Sequence, residues 1–451
     1  MASCLCRYRR RILFFCSPCI LLVPVYIYVS VALCYVMKHG ASHGAHVVHS
    51  KLPSHFTASG LKHSRDLAPH PVKSFWRSEL DSGALWNIIQ YMTDRQYNPI
   101  LKPHLPENVS SVAYKTAISR RTGDRCSPNY EIKNTIPDYA KLPIQMKNFL
   151  TSMHCRDYPL IIDPLDVCDS QAKKGAPTLL MVIKTQTANF QNREAIRETW
   201  GRSGNIKTLA GQQRPVSRVF LLGKSEDLHT EEKMHLESSK YGDIIQWDFM
   251  DTFFNLTLKD VLFWNWFSRR CSHARFIFKG DDDVFVRIPA VLDYLLAEEA
   301  NESRKASDTE SFVMGDVINN AAPIRSNWTK YYIPESFYKG LYPSYPGGGG
   351  VLYSGSLARR LLEVSQRVHL FPIDDVYLGM CLQRLGVYPI NHPAFLTFDF
   401  PVDEPREPCA NHTILLVHKR SPAEMLQLWS ETSTPSPECR NASLRVKLRP
   451  D

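Results

Sequence analysis

Over residues 178–279, short apolar runs alternate with amphipathic stretches, and this alternation constrains the fold of the 451-residue chain more than any other feature. TLLMVIKT (178–185), SRVFLL (217–222), DIIQW (243–247) and RFIFK (275–279) have the length and composition of buried strands. Between them lie NREAIRETW (192–200) closed by Gly201, the charged stretch 225–241, and LTLKDVLFWNWFS (256–268), all with helical character. Gly223 is expected to end the second strand. Strands alternating with helices predict an α/β domain with a largely parallel sheet, which binds ligands beyond the carboxyl ends of its strands.

The fourth strand runs directly into Gly280-Asp281-Asp282-Asp283 and then into the apolar 284–286. Three adjacent carboxylates between buried flanks repel one another unless a cation answers them. Alternate residues of an extended segment point the same way, so Asp281 and Asp283 face one ligand and Asp282 another. Hard carboxylate oxygens suit Mg²⁺ or Mn²⁺ completed by substrate phosphates, and the competing reading is a solvated acidic loop. A second pair, Asp374-Asp375, lies in FPIDDVYLGMCLQRLG, with Asp375 at the expected N-cap of a helix ended by Gly386. The pair either only caps that helix or uses its positive end to keep a general base ionised. The glycine run 347–350 in YPGGGGVLYSG is expected to be an irregular packed loop that admits a ligand closely, with Tyr345 and Tyr353 available to stack on a sugar. It matches neither G-x-x-x-x-G-K-[ST] nor G-x-G-x-x-G opening a helix. His418 ends the apolar run ILLVH, as a structural histidine or a ligand. The hydrolase motifs G-x-S-x-G and H-E-x-x-H are both missing.

Residues 12–37 form an uncharged run of 26, whereas roughly 20 apolar residues cross a bilayer. The run exceeds the apolar region of about 7–15 residues typical of a cleaved signal peptide. Arg7, Arg9, Arg10 and Arg11 precede it and predict a cytoplasmic N-terminus. The expected order is therefore a tail (1–11), a transmembrane signal anchor (12–37), a luminal stem (38–120) in which only 85–92 looks helical, and a luminal domain (121–451). N-x-[ST] triplets at Asn108, Asn255, Asn301, Asn327, Asn411 and Asn441 agree with a secretory body. Seven cysteines follow the anchor, so at least one is expected to be free or bridged between chains. The net charge of +9 invites a nucleic-acid reading, but residues 1–120 hold 14 Lys and Arg against 5 Asp and Glu. The remainder carries 40 of each, so no nucleic-acid partner is expected.

In order, NREAIRETWG, RVFLLG, DTFFNLTLKD, FIFKGDDDVFV, YYIPESFY, YPGGGGVLYSG and FPIDDVYLGMCLQRLG resemble the Golgi β-1,3-glycosyltransferases, and the β-1,3-N-acetylglucosaminyltransferases among them most. The resemblance spans about 150–430. It implies a GT-A type domain, a single-pass type II Golgi membrane protein, and inverting transfer from UDP-N-acetylglucosamine to the 3-hydroxyl of a terminal galactose. It further implies Mn²⁺ (or Mg²⁺) held by Asp281, Asp283 and His418, with Asp375 as catalytic base and Asp374 as the fallback. Asp282, Arg193, Arg197, Lys259 and Lys279 are then expected near the donor, and Tyr345, Gly348, Gly349 and Tyr353 near the acceptor. A galactosyltransferase using UDP-galactose and a non-catalytic sugar-binding protein are the alternatives, and a homodimer or a transferase complex is compatible with the sequence.

Overall fold

A computed structural model describes residues 83–97, 126–168, 176–300, 312–401 and 407–446, together with the short strands β1 (Phe56–Thr57) and β2 (Leu67–Ala68). Apolar residues of β4 (Leu179–Lys184) are wholly buried and alternate between two cores. Leu180 and Val182 face one core, Leu179, Met181 and Ile183 the other. Beside β4 run β6 (Gln213–Lys224), β7 (Ile244–Met250) and β8 (Phe276–Asp281), with β8, β4, β6 and β7 parallel in that order. Antiparallel strands complete the sheet: β3 (Leu160–Ile162) on β7, β5 (Gly204–Lys207) on β6, and β11 (Tyr345–Ser354) between β8 and β10 (Val313–Ile318). β12 (Ile390–Asn391) lies parallel to β10 at the far edge. The fold is thus mixed α/β with a parallel centre, as the alternation predicts.

One face is covered by α2 (Ile144–Ser152), α5 (Leu256–Arg270), α7 (Gly355–Ser365) and α8 (Asp374–Leu385). The other is covered by α3 (Phe190–Glu198), α4 (Leu228–Tyr241), α6 (Ile288–Ala300) and α9 (Pro422–Ser433), plus a small sheet of β9 (Val284–Val286), β13 (Phe395–Leu396) and β14 (Leu416–His418). On the parallel strands, the buried Gln246 of β7 donates to Glu231 of α4 at 2.9 Å.

Three sequence expectations are corrected. Gly223 lies inside β6, since the strand continues to Lys224. The glycine run 347–350 is not a loop: it forms the middle of β11, with Gly350 opposite Gly280 of β8. The stretch read as stem contains α1 (Leu85–Tyr97), longer than the one or two turns expected and docked on the domain. Trp86 Nε1 donates to the carbonyl of His369, Gln90 bonds the backbone of Arg367 and His369, and Asp94 holds Arg384 of α8 through bonds of 3.0 and 2.7 Å. Apolar Leu85, Trp86 and Ile89 enter the same core as α8, so this helix packs with the domain.

Cysteines pair as Cys126–Cys155, Cys168–Cys271 and Cys409–Cys439. The odd thiol is Cys381, free and buried in α8, so it is not positioned to bridge two chains. The expected anchor 12–37 lies outside the described residues, and among those no helix is long and apolar enough to cross a membrane. Asp94→Ala strands Arg384 without its buried partner and is expected to lower unfolding stability by about 3–5 kcal/mol, as measured by denaturant titration.

Candidate active site

At the carboxyl ends of the parallel strands, register alone sets Lys184 of β4 opposite Asp281 of β8. Lys184 Nζ lies 3.1 Å from Asp281 Oδ1 and also donates to Asp374 Oδ2 at the start of α8. Burial works against this ammonium, but Asp281 and Asp374 outweigh it and hold its pKa well above the usual lysine range. Directly behind, Lys279 is paired with the buried Asp260 of α5.

This arrangement separates two neighbouring carboxyls that the sequence leaves equivalent. Asp374 is buried; burial would raise its pKa, but Lys184 and then Lys279 bring it below the usual aspartate value. Asp375 is half-buried, and burial, reinforced by the charge of Asp374, pushes its pKa well above that value. Asp375 is not the N-cap, which is Ile373; it occupies the first turn of α8, still at the positive end of the helix.

The glycine strand now has a physical reason. A Cβ on Gly348 would lie 2.6 Å from Asp375 Oδ2, and one on Gly349 would lie 3.1 Å from His418 Cβ. Both side chains lean on bare backbone, so β11 has no room for larger residues there. His418 arrives from β14, whose antiparallel pairing with β9 puts it opposite Val284 and beside the acidic turn. Its Nε2 is 3.1 Å from Asp283 Oδ1, and its Nδ1 bonds the carbonyl of Thr397 at 3.0 Å. Burial would lower the pKa of His418, but Asp283 outweighs it and raises it.

Asp281, Asp283 and His418 each offer one atom to a common point, these atoms lying within 4.8 Å of one another. Two carboxylates and an imidazole, all partly exposed, are a donor set that fits a divalent ion such as Mn²⁺. The other such grouping among the described residues, Cys126, His154 and Cys155, has its two sulfurs tied in a disulfide. Asp282, in the turn after β8 rather than in an extended segment, is buried while Asp281 and Asp283 are partly exposed. It accepts from Thr185 and from Asn189 Nδ2 at 2.9 Å, and burial raises its pKa.

Several expected contact residues are committed elsewhere. Arg193 is fully buried, bonded to Glu237 and to the carbonyls of Gln186 and Thr187; Arg197 is held by Glu237 and Asp243. Lys259 is buried between Asp251 at 2.8 Å and the Thr185 carbonyl at 2.6 Å, and Lys279 is spent on Asp260. Their charges are answered inside the fold, so they support the strand ends rather than present free cations to a donor. Tyr353 points into the core beside Trp264 and is 1% exposed, which excludes it from stacking on a sugar. Tyr345 is half-buried, and burial together with nearby Asp375 raises its pKa to about 12. Lys184 and Asp260 were missed; the signal for Lys184 is a charged residue closing an otherwise apolar buried strand.

Of the triplets for glycosylation, Asn327 and Asn441 are exposed, whereas Asn255 bonds the Met250 carbonyl and Asn411 bonds Glu431. Asn108 and Asn301 lie outside the described residues.

Residues 191–393 match the family described as Galactosyltransferase. The chain is 44% identical to the mouse and human N-acetyllactosaminide beta-1,3-N-acetylglucosaminyltransferase 2, each match covering 82% of this chain and 89% of the relative. It is 41% identical to the rat UDP-GlcNAc:betaGal beta-1,3-N-acetylglucosaminyltransferase 7, over 67% of this chain and 75% of that protein. Among solved structures, the WbbM bifunctional glycosyltransferase is similar at 10% identity and TM-score 0.31, covering 59% of this chain and 52% of that one, too slight to bear on the fold. The protein is thus a UDP-sugar-dependent β-1,3-glycosyltransferase. It belongs to the galactosyltransferase family, among its β-1,3-N-acetylglucosaminyltransferases.

Gly348→Ala is expected to displace Asp375 and lower kcat by about 10²-fold with little change in thermal unfolding, checked by steady-state kinetics alongside a melting curve.

Proposed function

We propose that the enzyme moves N-acetylglucosamine from UDP-N-acetylglucosamine to the 3-hydroxyl of a terminal galactose, with inversion, through a GT-A type site. The observation that carries this is the placement of a half-buried carboxyl, Asp375, near Asp281, Asp283 and His418, a donor set suited to a divalent cation, at the carboxyl edge of a parallel sheet. The names of the relatives supply the sugar and linkage.

In this reading the acceptor oxygen attacks the anomeric carbon as the bond from that carbon to the diphosphate oxygen breaks. Asp375 takes the acceptor's hydroxyl proton, and its raised pKa brings it closer to the basicity that task needs. Asp374, held ionised by Lys184, favours that proton's transfer by its negative charge and fixes the first turn of α8. A single carboxylate suffices because no glycosyl-enzyme intermediate forms. Asp281, Asp283 and His418 would hold Mn²⁺, with Mg²⁺ as the substitute, and the bound ion supplies Lewis-acid stabilisation of the departing UDP. Asp282, beside Thr185 and Asn189, is assigned to the donor's ribose or sugar, Arg193 and Lys259 to holding the 185–187 backbone beside it, and Arg197 and Lys279 to bracing the sheet through Asp243 and Asp260. Gly348, Gly349 and the half-buried Tyr345 border the acceptor side.

The same reading takes 12–37 as a type II anchor in the Golgi membrane, with the catalytic body in the lumen and glycans on its sequons. Assembly as a homodimer or with another transferase remains part of this proposal, without a disulfide through Cys381.

Purified enzyme is to be assayed on a galactose-terminated glycan array with UDP-N-acetylglucosamine and UDP-galactose, with and without Mn²⁺. Consumption of the first donor, only with metal, to give a β-1,3 product is expected; transfer of galactose alone, or a rate indifferent to chelation, overturns the reading. Asp375→Asn is expected to cost about 10²–10⁴-fold in kcat with the fold intact, whereas full activity would remove Asp375 from its role. Because the active base is deprotonated and its pKa is raised, activity should fall on acidification at a pH above the ordinary aspartate range. A pH profile of kcat/KM checks the position of that acid limb.

A further inference from the structure

Beyond His418 the β14 strand does not continue straight. Were the β14 pairing with β9 to continue, Lys419 would oppose Asp283, but Lys419 adopts a left-handed backbone with φ of 60°. That turn inserts one residue, and the backbone N–H of Arg420 donates instead to the carbonyl of Asp283 at 2.7 Å. Irregularities of this kind bend a strand and re-aim its side chains next to functional sites.

The Arg420 guanidinium then folds back over the turn. Nη1 donates to the carbonyls of His418 at 3.1 Å and Lys419 at 3.0 Å, while Nη2 meets Asp399 Oδ1 at 2.5 Å. Asp399, itself left-handed at φ 71°, lies two residues past Thr397, whose carbonyl accepts from the imidazole Nδ1. One side chain, 11% exposed, therefore braces the backbone of His418 and the loop that orients its ring. Its own main chain grips Asp283.

We propose that Arg420, clamped by Asp399, is a positioning residue that sets the divalent-cation affinity of the Asp281, Asp283 and His418 trio. The inference rests on the metal-assisted reading above but goes beyond it, because Arg420 ligates nothing. It acts by holding an imidazole from one strand and a carboxylate from another at a fixed spacing before the ion arrives. Partners of metal ligands typically contribute 10–100-fold in metal affinity.

The test is Mn²⁺ titration of the full chain in detergent without donor sugar, following free Mn²⁺ by its electron paramagnetic resonance signal. Arg420→Met and Asp399→Asn are each expected to weaken Mn²⁺ binding roughly 10–100-fold, with thermal unfolding close to wild type. Arg420→Lys should fall between, since an ammonium cannot reach both carbonyls and Asp399 with a planar fork. Unchanged affinity in the first two variants overturns the proposal. If Arg420→Met does not fold, Asp399→Asn decides alone, because it keeps the Arg420 side chain and its bonds to the His418 and Lys419 carbonyls. Wild-type protein that binds no Mn²⁺ even when UDP is added to supply the diphosphate overturns the metal-assisted reading itself, an outcome distinct from equal binding by wild type and variants.

Discussion

A single buried ammonium ties the two halves of the site together. Lys184 ends the central strand β4, and from there it reaches Asp281 at the end of β8 and Asp374 at the head of α8. Taking a lysine out of water is costly unless carboxylates surround it, and removing one member of such a group leaves an unanswered charge. The fold must therefore bring β4, β8 and α8 together at one edge, and it does so with strand register and a helix start rather than with flexible loops. The same ammonium holds Asp374 ionised, while burial, reinforced by that charge, raises the pKa of Asp375 beside it. Two adjacent aspartates thus acquire different chemistry, one from its ion pair with Lys184 and the other from burial beside a charged neighbour.

Around this contact, bare backbone makes the room. Strand β11 runs antiparallel to β8, and its glycines let Asp375 approach from one element and His418 from another. Any side chain at Gly348 would fill the space of a carboxylate oxygen. His418 itself comes from the small sheet, so the cation trio spans the junction of two sheets: Asp281 from the large one, His418 from the small one, and Asp283 from the turn between β8 and β9.

Much of this was legible in the chain, and the reasons for the failures are physical. Apolar runs with turn signals gave β4, β6, β7 and β8 to within a few residues, because buried parallel strands must be apolar throughout. The acidic turn was legible because its charges sit between apolar flanks. The glycine run was misread because glycine's intrinsic disfavour for strands is overridden when neighbours need its missing side chain. Arg193, Arg197, Lys259 and Lys279 looked like free cations because sequence shows a charge but not the partner that Glu237, Asp243, Asp251 or Asp260 supplies from a distant element. Helix α1 was underestimated for the same reason: Asp94 meets Arg384 across 290 positions.

In the proposed reaction Lys184 and Asp374 serve catalysis and not merely the fold. The most direct measurement is the kcat of Lys184→Met combined with Asp374→Leu, at saturating Mn²⁺ and both substrates, beside its unfolding free energy. Exchanging a buried pair for apolar groups of similar volume is often neutral for stability. The expected result is a folded protein whose kcat falls by about 10²-fold or more, because Asp281 loses its anchor and Asp375 its charged neighbour. A folded double variant with wild-type kcat would contradict it.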